Sequence, residues 1–141
     1  MTQAIGAVTF LVRDYDEAID YFTRVLRFSL SQDTPLSGSK RWVVVVPPGS
    51  NGPGLVLVRA ETPEEIARVG DQAAGRAFLF LHTDDFWRDY EDMRTKGVVF
   101  YEEPRNEPYG LVVIFKDLYG NYWDLKGPVP QVWPLRPGGP N

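Results

Sequence analysis

One pattern occurs twice in this chain, about seventy residues apart, and this internal repeat limits the possible folds more than any other feature. Each copy reads as a strand, an aspartate that begins a helix, an amphipathic helix and three further strands. The first strands are predicted at 5–12 and 77–83, and the aspartates are Asp14 and Asp85. The repeat therefore predicts two similar modules with one architecture.

Capping signals locate the helices. Asp14 stands three residues before Glu17, and Thr62 stands three residues before Glu65, which is the spacing of a capping box. The helix that begins at Asp85 is predicted to stop near a glycine at position 97. The remaining strands are predicted at 28–34, 41–46, 54–59, 98–101, 111–116 and 121–126.

The length limits the number of domains. With 141 residues, of which 43% are hydrophobic, the chain can bury one sizeable core, so two independent domains are not expected. We expect a single domain over residues 4–128, made of modules at about 4–60 and 76–127. Residues 129–141 are rich in proline and are predicted to be a tail without regular structure. Trp133 is a candidate for docking this tail on the surface or on a partner chain.

Charge and composition exclude several classes of partner. The net charge is -4 and no dense run of lysine or arginine occurs, so neither nucleic acid nor a membrane surface is an expected partner. The absence of cysteine excludes a disulfide framework and a thiolate nucleophile. The first residues lack the basic flank and long apolar core of a signal peptide. We therefore expect a cytoplasmic protein whose partner is a small-molecule ligand or another protein.

Three segments carry a family resemblance: VRDYDEA at 12–18, EPYG at 107–110 and DLYGNYWDL at 117–125. With them the chain resembles the vicinal oxygen chelate superfamily, which includes glyoxalase I, extradiol dioxygenases, fosfomycin resistance proteins and bleomycin resistance proteins. The resemblance covers about residues 4–128. It implies an α+β fold, in which two βαβββ modules form curved mixed β-sheets around a shared cleft, and it implies a homodimer.

The resemblance also implies where metal ligands would lie. Metal-dependent members take two ligands from each half, one on the first strand and one on the last, and these positions fall at Ala7, Leu57, Phe78 and Asp124. Only Asp124 can bind a metal. The sole histidine, His82, would complete no more than an incomplete shell with Asp124. We therefore expect no metal and no cofactor.

Strand alternation predicts the lining of the cleft. The residues on this face are predicted to be Ala7, Thr9, Leu57, Phe78, Phe80, Tyr122 and Asp124, with His82 at the far end of the same strand as Phe80. Such an apolar and aromatic lining is typical of a small-molecule site, although the same side chains can simply pack to close a sheet. Arg41, Trp42 and Tyr109 offer a charge, a stacking surface and a hydroxyl from segments that border the opening in the family.

Asp124 is the candidate catalytic residue. A carboxylate beside aromatic groups has its charged form disfavoured by desolvation, which raises its pKa. It can then act as a general base or attract a cationic ligand. The alternative is a structural aspartate bonded to the backbone or to Tyr122. By contrast, Asp14, Asp85 and Asp117 are expected to be helix caps and turn formers.

Three functions remain open. The first is a metal-independent small-molecule binding protein of the bleomycin-resistance type, which sequesters or senses an aromatic or partly cationic compound. The second is a metal-dependent lyase or dioxygenase whose ligands include His82 and Asp124. The third is a metal-free isomerase or lyase with Asp124 as its base. The missing ligands favour the first over the second, and the sequence does not separate the first from the third.

Overall fold

The structure is a computed structural model that describes residues 1–128, so the proline-rich tail and Trp133 lie outside the described residues. The chain divides into two compact units, Met1–Gln72 and Ala73–Asn141. Each unit contains one mixed β-sheet, and the fold is α+β, as predicted. The expectation of a single domain over residues 4–128 stays a prediction. Within residues 1–128, no helix is long and apolar enough to cross a membrane.

The first unit has a four-stranded sheet in the order β1-β4-β3-β2, with β1 parallel to β4 and the other pairs antiparallel. Its elements are β1 (Ala7–Val12), α1 (Tyr15–Asp20), β2 (Ser29–Pro35), β3 (Arg41–Val46), β4 (Gly54–Arg59) and α2 (Pro63–Arg68). The predicted capping signals are confirmed: the Asp14 carboxylate accepts the backbone N–H of Glu17 at 2.8 Å, and Thr62 and Glu65 form a capping box.

The core of the first unit lies on the helix side of this sheet. Phe10 of β1 meets Phe22 edge to face at 5.2 Å between ring centroids. Leu57 pairs in register with Phe10 and is 0% exposed. Because register partners share a face, Leu57 belongs to the core. The prediction that Leu57 lines the cleft was wrong, because the alternation along β4 was started one residue out of phase.

The first helix ends in an unusual way. After α1 the chain continues as a π-helical turn over Tyr21–Val25, in which Leu26 N–H bonds to the carbonyl of Tyr21 at 3.2 Å. Arg27 then takes a left-handed conformation with φ of 63°. Gly97 holds the corresponding place in the second unit, with φ of 86°. The two helix ends therefore use one backbone shape with two different residues.

The second unit repeats the topology of the first, with a five-stranded sheet in the order β5-β9-β8-β6 and a further strand β7 beside β8. Its elements are β5 (Ala77–His82), α3 (Phe86–Thr95), β6 (Val99–Phe100), β7 (Arg105–Glu107), β8 (Gly110–Lys116) and β9 (Tyr122–Lys126). The strand β5 runs parallel to β9, as β1 does to β4. This matching order confirms the duplication that the sequence predicts.

The strands β6 and β7 form one interrupted edge strand. Both pair antiparallel with β8, and residues 101–104 between them leave the ladder. Pro104 lies in this interruption and cannot donate a ladder hydrogen bond. The sequence predicted β6 and missed β7, because three polar residues beside a proline carry little strand signal.

Asp117 organises the turn between β8 and β9. Its carboxylate is buried and accepts four hydrogen bonds of 2.9 to 3.0 Å, from the backbone N–H groups of Tyr119 and Asn121 and from the side chains of Asn121 and Trp123. Burial raises the pKa of Asp117, and these donors oppose that shift. The predicted structural role of this aspartate is confirmed.

Candidate functional site

The site lies on the face of the second sheet that α3 leaves uncovered. Phe80, Asp124 and Ile114 are register partners across β5, β9 and β8, so their side chains share this face. Their alternating neighbours, among them Trp123 and Leu125, are buried in the core. A small open cavity of about 170 Å³ lies here. Its lining residues are Gly75, Ala77, Tyr101, Ile114 and Tyr122.

Two tyrosines form the aromatic part of the cavity. The rings of Tyr101 and Tyr122 meet edge to face, with centroids 5.5 Å apart and planes at 80°. The backbone N–H of Tyr101 donates to the carbonyl of Ile114 at 2.9 Å. This bond holds Tyr101, the first residue of the interruption, against β8. Lys116 Nζ lies 5.3 Å from the centroid of the Tyr122 ring. Tyr101 is 65% exposed, so its ring is available to a ligand.

A bulge in β5 changes which residues face the cavity. Ala77 pairs with Tyr122 and Leu79 pairs with Trp123, so the register shifts between Ala77 and Leu79. Ala77 thereby lines the cavity, and Phe78 is the extra residue of the bulge, so its predicted contact with a ligand stays a prediction. Phe78 is half-buried, whereas Phe80 is on the open face and 62% exposed.

Asp124 is a half-buried carboxylate beside Ile114. Within residues 1–128, its carboxylate has no hydrogen-bond partner, so the alternative of a bond to Tyr122 or the backbone is not realised there. Burial raises its pKa, the positive charge of Arg105 lowers it, and the negative charge of Glu102 raises it. The charged form of Asp124 therefore gains from any cation or hydrogen-bond donor that approaches it.

The charged groups nearest to Asp124 come from the interrupted edge strand. Arg105 Nε donates to Glu102 at 3.0 Å, and Arg105 Nη1 donates to Glu107. The bond to Glu102 is the largest cause that raises the pKa of Arg105, and Tyr109 and Glu107 add smaller contributions. Arg105 is thus already engaged by carboxylates other than Asp124.

Tyr109 lies in the turn that joins β7 to β8, and it is exposed. The turn needs a glycine at position 110, where φ is 136° and a Cβ atom would collide with the carbonyl oxygen of Gly127. The segment EPYG at 107–110 is therefore a tight hairpin turn that holds Tyr109 near Arg105.

His82 is exposed and pairs with Lys126. Lys126 lies two residues after Asp124 on β9, so His82 is on the same face of the sheet as Asp124. Within the part of the chain that the structure describes, no three His, Cys, Asp or Glu residues are grouped as metal ligands. His82 and Asp124 share a face of the sheet, and their roles as ligands to a metal or a small molecule stay predictions.

Trp42 lies in β3 of the first unit, whereas the cavity residues belong to the second unit. Its indole Nε1 donates to Gln32 Oε1 at 2.7 Å, and the side chain is 40% exposed. The neighbouring Arg41 is engaged by Asp33 and Asp16 at 2.7 and 2.9 Å. Trp42 therefore offers an oriented ring surface, while the guanidinium of Arg41 serves an ion-pair network of the first unit.

Sequence reasoning missed three residues of the site, Tyr101, Glu102 and Arg105. All three lie in or next to the interrupted edge strand. The one available signal was Pro104 after a glutamate pair, because a proline inside a strand pattern indicates an edge or a bulge.

Two mixed sheets of one repeated topology define an α+β protein built by duplication. The chain belongs to the Glyoxalase/Bleomycin resistance protein/Dioxygenase superfamily, whose sequence model it matches over residues 4–125. The resemblance that the motifs indicated is thereby confirmed. An uncharacterised protein of Shewanella frigidimarina is 53% identical over 126 residues, which is 89% of this chain and 93% of that relative.

Solved structures of similar proteins agree with this assignment. The crystal structure of UcmS2 has a TM-score of 0.77 and 30% identity, and the match covers 89% of this chain and 98% of that chain. The crystal structure of TnmS3, an antibiotic binding protein from Streptomyces sp. CB03234, has a TM-score of 0.71 and 29% identity, with 90% and 97% covered.

Proposed function

We propose that this chain is a metal-independent small-molecule binding protein, and that its ligand carries an aromatic ring with a cationic group. One observation carries the proposal: a half-buried carboxylate, Asp124, has no hydrogen-bond partner within residues 1–128 and neighbours a cavity lined by Tyr101 and Tyr122. The aromatic rings suit the ring of the ligand, and Asp124 suits its charge.

The similarity to an antibiotic binding protein supports a small organic ligand rather than a macromolecule. The cavity of about 170 Å³ is smaller than the ~300 to 1,000 Å³ of a typical ligand pocket. Such a ligand therefore needs further walls, and we propose that the protein acts as a homodimer. Trp42, Phe78, Phe80, His82 and Tyr109 remain proposed ligand contacts, and a cytoplasmic location remains a proposal from the sequence.

A second candidate is a metal-free isomerase or lyase that uses Asp124 as its general base. The raised pKa of Asp124 favours this candidate, because a more basic carboxylate accepts a proton more readily. It differs from the first in requiring turnover. Incubation of the protein with a bound compound, followed by mass spectrometry and NMR of that compound, separates them: an unchanged compound supports binding alone, and a rearranged one supports catalysis.

The metal-dependent alternative is tested by elemental analysis of the purified protein. We expect less than one equivalent of zinc, iron, nickel or manganese per chain, since Ala7 and Phe78 occupy predicted ligand positions and offer no donor atoms. A stoichiometric metal that is lost on chelation together with an activity would overturn the binding-protein proposal.

Binding itself is tested with a matched pair of probes. N-methylquinolinium is a planar aromatic cation, and quinoline is its analogue without charge at neutral pH. We expect tighter binding of N-methylquinolinium, measured by calorimetry, and a loss of this preference in Asp124→Asn. Equal affinity of both probes for the unsubstituted protein would contradict the proposed ionic contact.

A further inference from the structure

Arg105 is the cation best placed to compete with a ligand for Asp124. Arg105 pairs in register with Val112, and Val112 lies two residues from Ile114, which pairs with Asp124, so Arg105 and Asp124 share one face of the sheet. The positive charge of Arg105 also lowers the pKa of Asp124. A direct Arg105 to Asp124 ion pair would satisfy Asp124 inside the protein. A cationic ligand would then have to displace a guanidinium that is tethered to the same sheet.

Two glutamates keep Arg105 engaged elsewhere. Glu102 accepts from Arg105 Nε at 3.0 Å, and Glu107 accepts from Arg105 Nη1. Charge-assisted hydrogen bonds of this kind fix the direction of a guanidinium, because its donors lie in one rigid plane. With these groups ionised, the two glutamate charges outnumber the single positive charge of Arg105, so the guanidinium is neutralised where it is held.

We propose that Glu102 and Glu107 determine the specificity of the site: by holding Arg105, they leave Asp124 free to bind a cationic ligand. This inference rests on the proposed function and adds two residues that do not themselves line the cavity. The pairs are partly exposed, so each is of modest strength and a single charge change can redirect Arg105. Removal of both glutamate charges should turn Arg105 toward Asp124.

The adjacent Glu103 provides a matched control. Its charge acts on Tyr90 and Arg94, two residues of α3, and within the described residues it forms no hydrogen bond or ion pair with Arg105. Glu103→Gln therefore removes the same charge from the same loop without releasing Arg105. If the loss of negative charge alone weakened the binding of the cation, Glu103→Gln would weaken it as Glu102→Gln does.

The test compares the double variant Glu102→Gln, Glu107→Gln with a triple variant that also carries Arg105→Gln. We expect the double variant to bind N-methylquinolinium at least tenfold more weakly, with quinoline affinity unchanged within about twofold. The triple variant should regain most of the lost affinity, and Glu103→Gln should bind within about twofold of the unsubstituted protein. In the double variant, carbon NMR should also show a lowered pKa of Asp124, because Arg105 then pairs with it.

Two results would overturn the inference. One is unchanged N-methylquinolinium affinity in the double variant, and the other is a loss that the triple variant does not reverse. Failure of the proposed function is distinguishable, because it would appear as unchanged binding in Asp124→Asn. Retained quinoline binding serves as the check that each variant keeps its cavity.

Discussion

Tyr101 and Tyr122 meet edge to face, with ring centroids 5.5 Å apart, although one lies in a strand interruption and the other in a regular strand. Phe100 pairs with Phe115 in the core, and the backbone N–H of the next residue, Tyr101, bonds to the carbonyl of Ile114, so alternation places Tyr101 on the open face of the sheet. The aromatic wall of the cavity therefore combines the first residue after β6 with a residue of β9.

Replacement of Tyr101 by alanine should weaken the binding of both quinoline and N-methylquinolinium by roughly 3- to 10-fold, since an aromatic pair contributes about 0.5 to 1.5 kcal/mol. Tyr101→Phe keeps the ring and should retain the affinity of both probes within about twofold. Because Tyr101 is largely exposed, neither change should lower the thermal midpoint by more than a few degrees. Calorimetry and thermal melts check the two expectations, and normal binding by Tyr101→Ala would remove the tyrosine pair from the site.

Replacement of Asp117 by alanine should destabilise the protein by about 3 kcal/mol or more, because four hydrogen-bond donors lose their buried acceptor. Asp14→Ala removes a single exposed helix cap and should cost about 1 kcal/mol. Urea unfolding of both variants checks the ranking. Equal losses for the two would contradict the organising role of Asp117 in the turn.

Replacement of Arg27 by glycine should stabilise the protein by up to about 1 kcal/mol, since glycine adopts the left-handed conformation at no steric cost. Gly97→Ala is the reverse experiment, because it places a side chain at the corresponding left-handed position of the second unit. A Cβ at Gly97 meets no atom within 4 Å, so a loss of about 1 kcal/mol there reports the conformational strain alone. A destabilised Arg27→Gly in urea unfolding would show that the Arg27 side-chain contacts outweigh the strain.

The regular parts of the fold were predictable from the sequence because they follow local rules. The bounds of β3 and β4, and the capping aspartates Asp14 and Asp85, match their predictions, since apolar runs and capping spacings are short-range signals. The order of strands and helix along each unit followed from the repeat, and the mixed sheets followed from the family resemblance.

The departures have two causes: a wrong starting point for the alternation in the regular strand β4, and irregular pairing in β5 and in the interrupted edge strand. Alternation that was started from the wrong residue placed Leu57 on the lining, and the bulge between Ala77 and Leu79 adds Ala77 to the lining. Arg105 was missed because the register beyond the interruption of an edge strand depends on the partner strand and not on the local sequence. Tyr122 and Asp124, by contrast, lie in the regular strand β9, where alternation applies.

The pH dependence of binding follows from the raised pKa of Asp124. A raised pKa in the folded state means that ionisation of Asp124 opposes folding as the pH rises through its titration range. The stability that protonated Asp124 contributes at low pH is therefore lost at neutral pH. At neutral pH, Asp124→Asn should melt at a temperature no lower than that of the unsubstituted protein. Affinity for N-methylquinolinium should fall as the pH is lowered through the pKa of Asp124, because the protonated carboxyl has no charge. A pH-independent affinity in calorimetry would contradict this contact.

The decisive measurement is the binding of N-methylquinolinium and quinoline by Asp124→Asn at neutral pH, together with the thermal midpoint of this variant. If Asp124 is the ionic contact, we expect at least a tenfold loss of affinity for the cation, quinoline affinity within about twofold, and a midpoint that does not fall. A variant that binds both probes as the unsubstituted protein does, or that melts many degrees lower and loses both, would show that Asp124 is not the ionic contact of a ligand site.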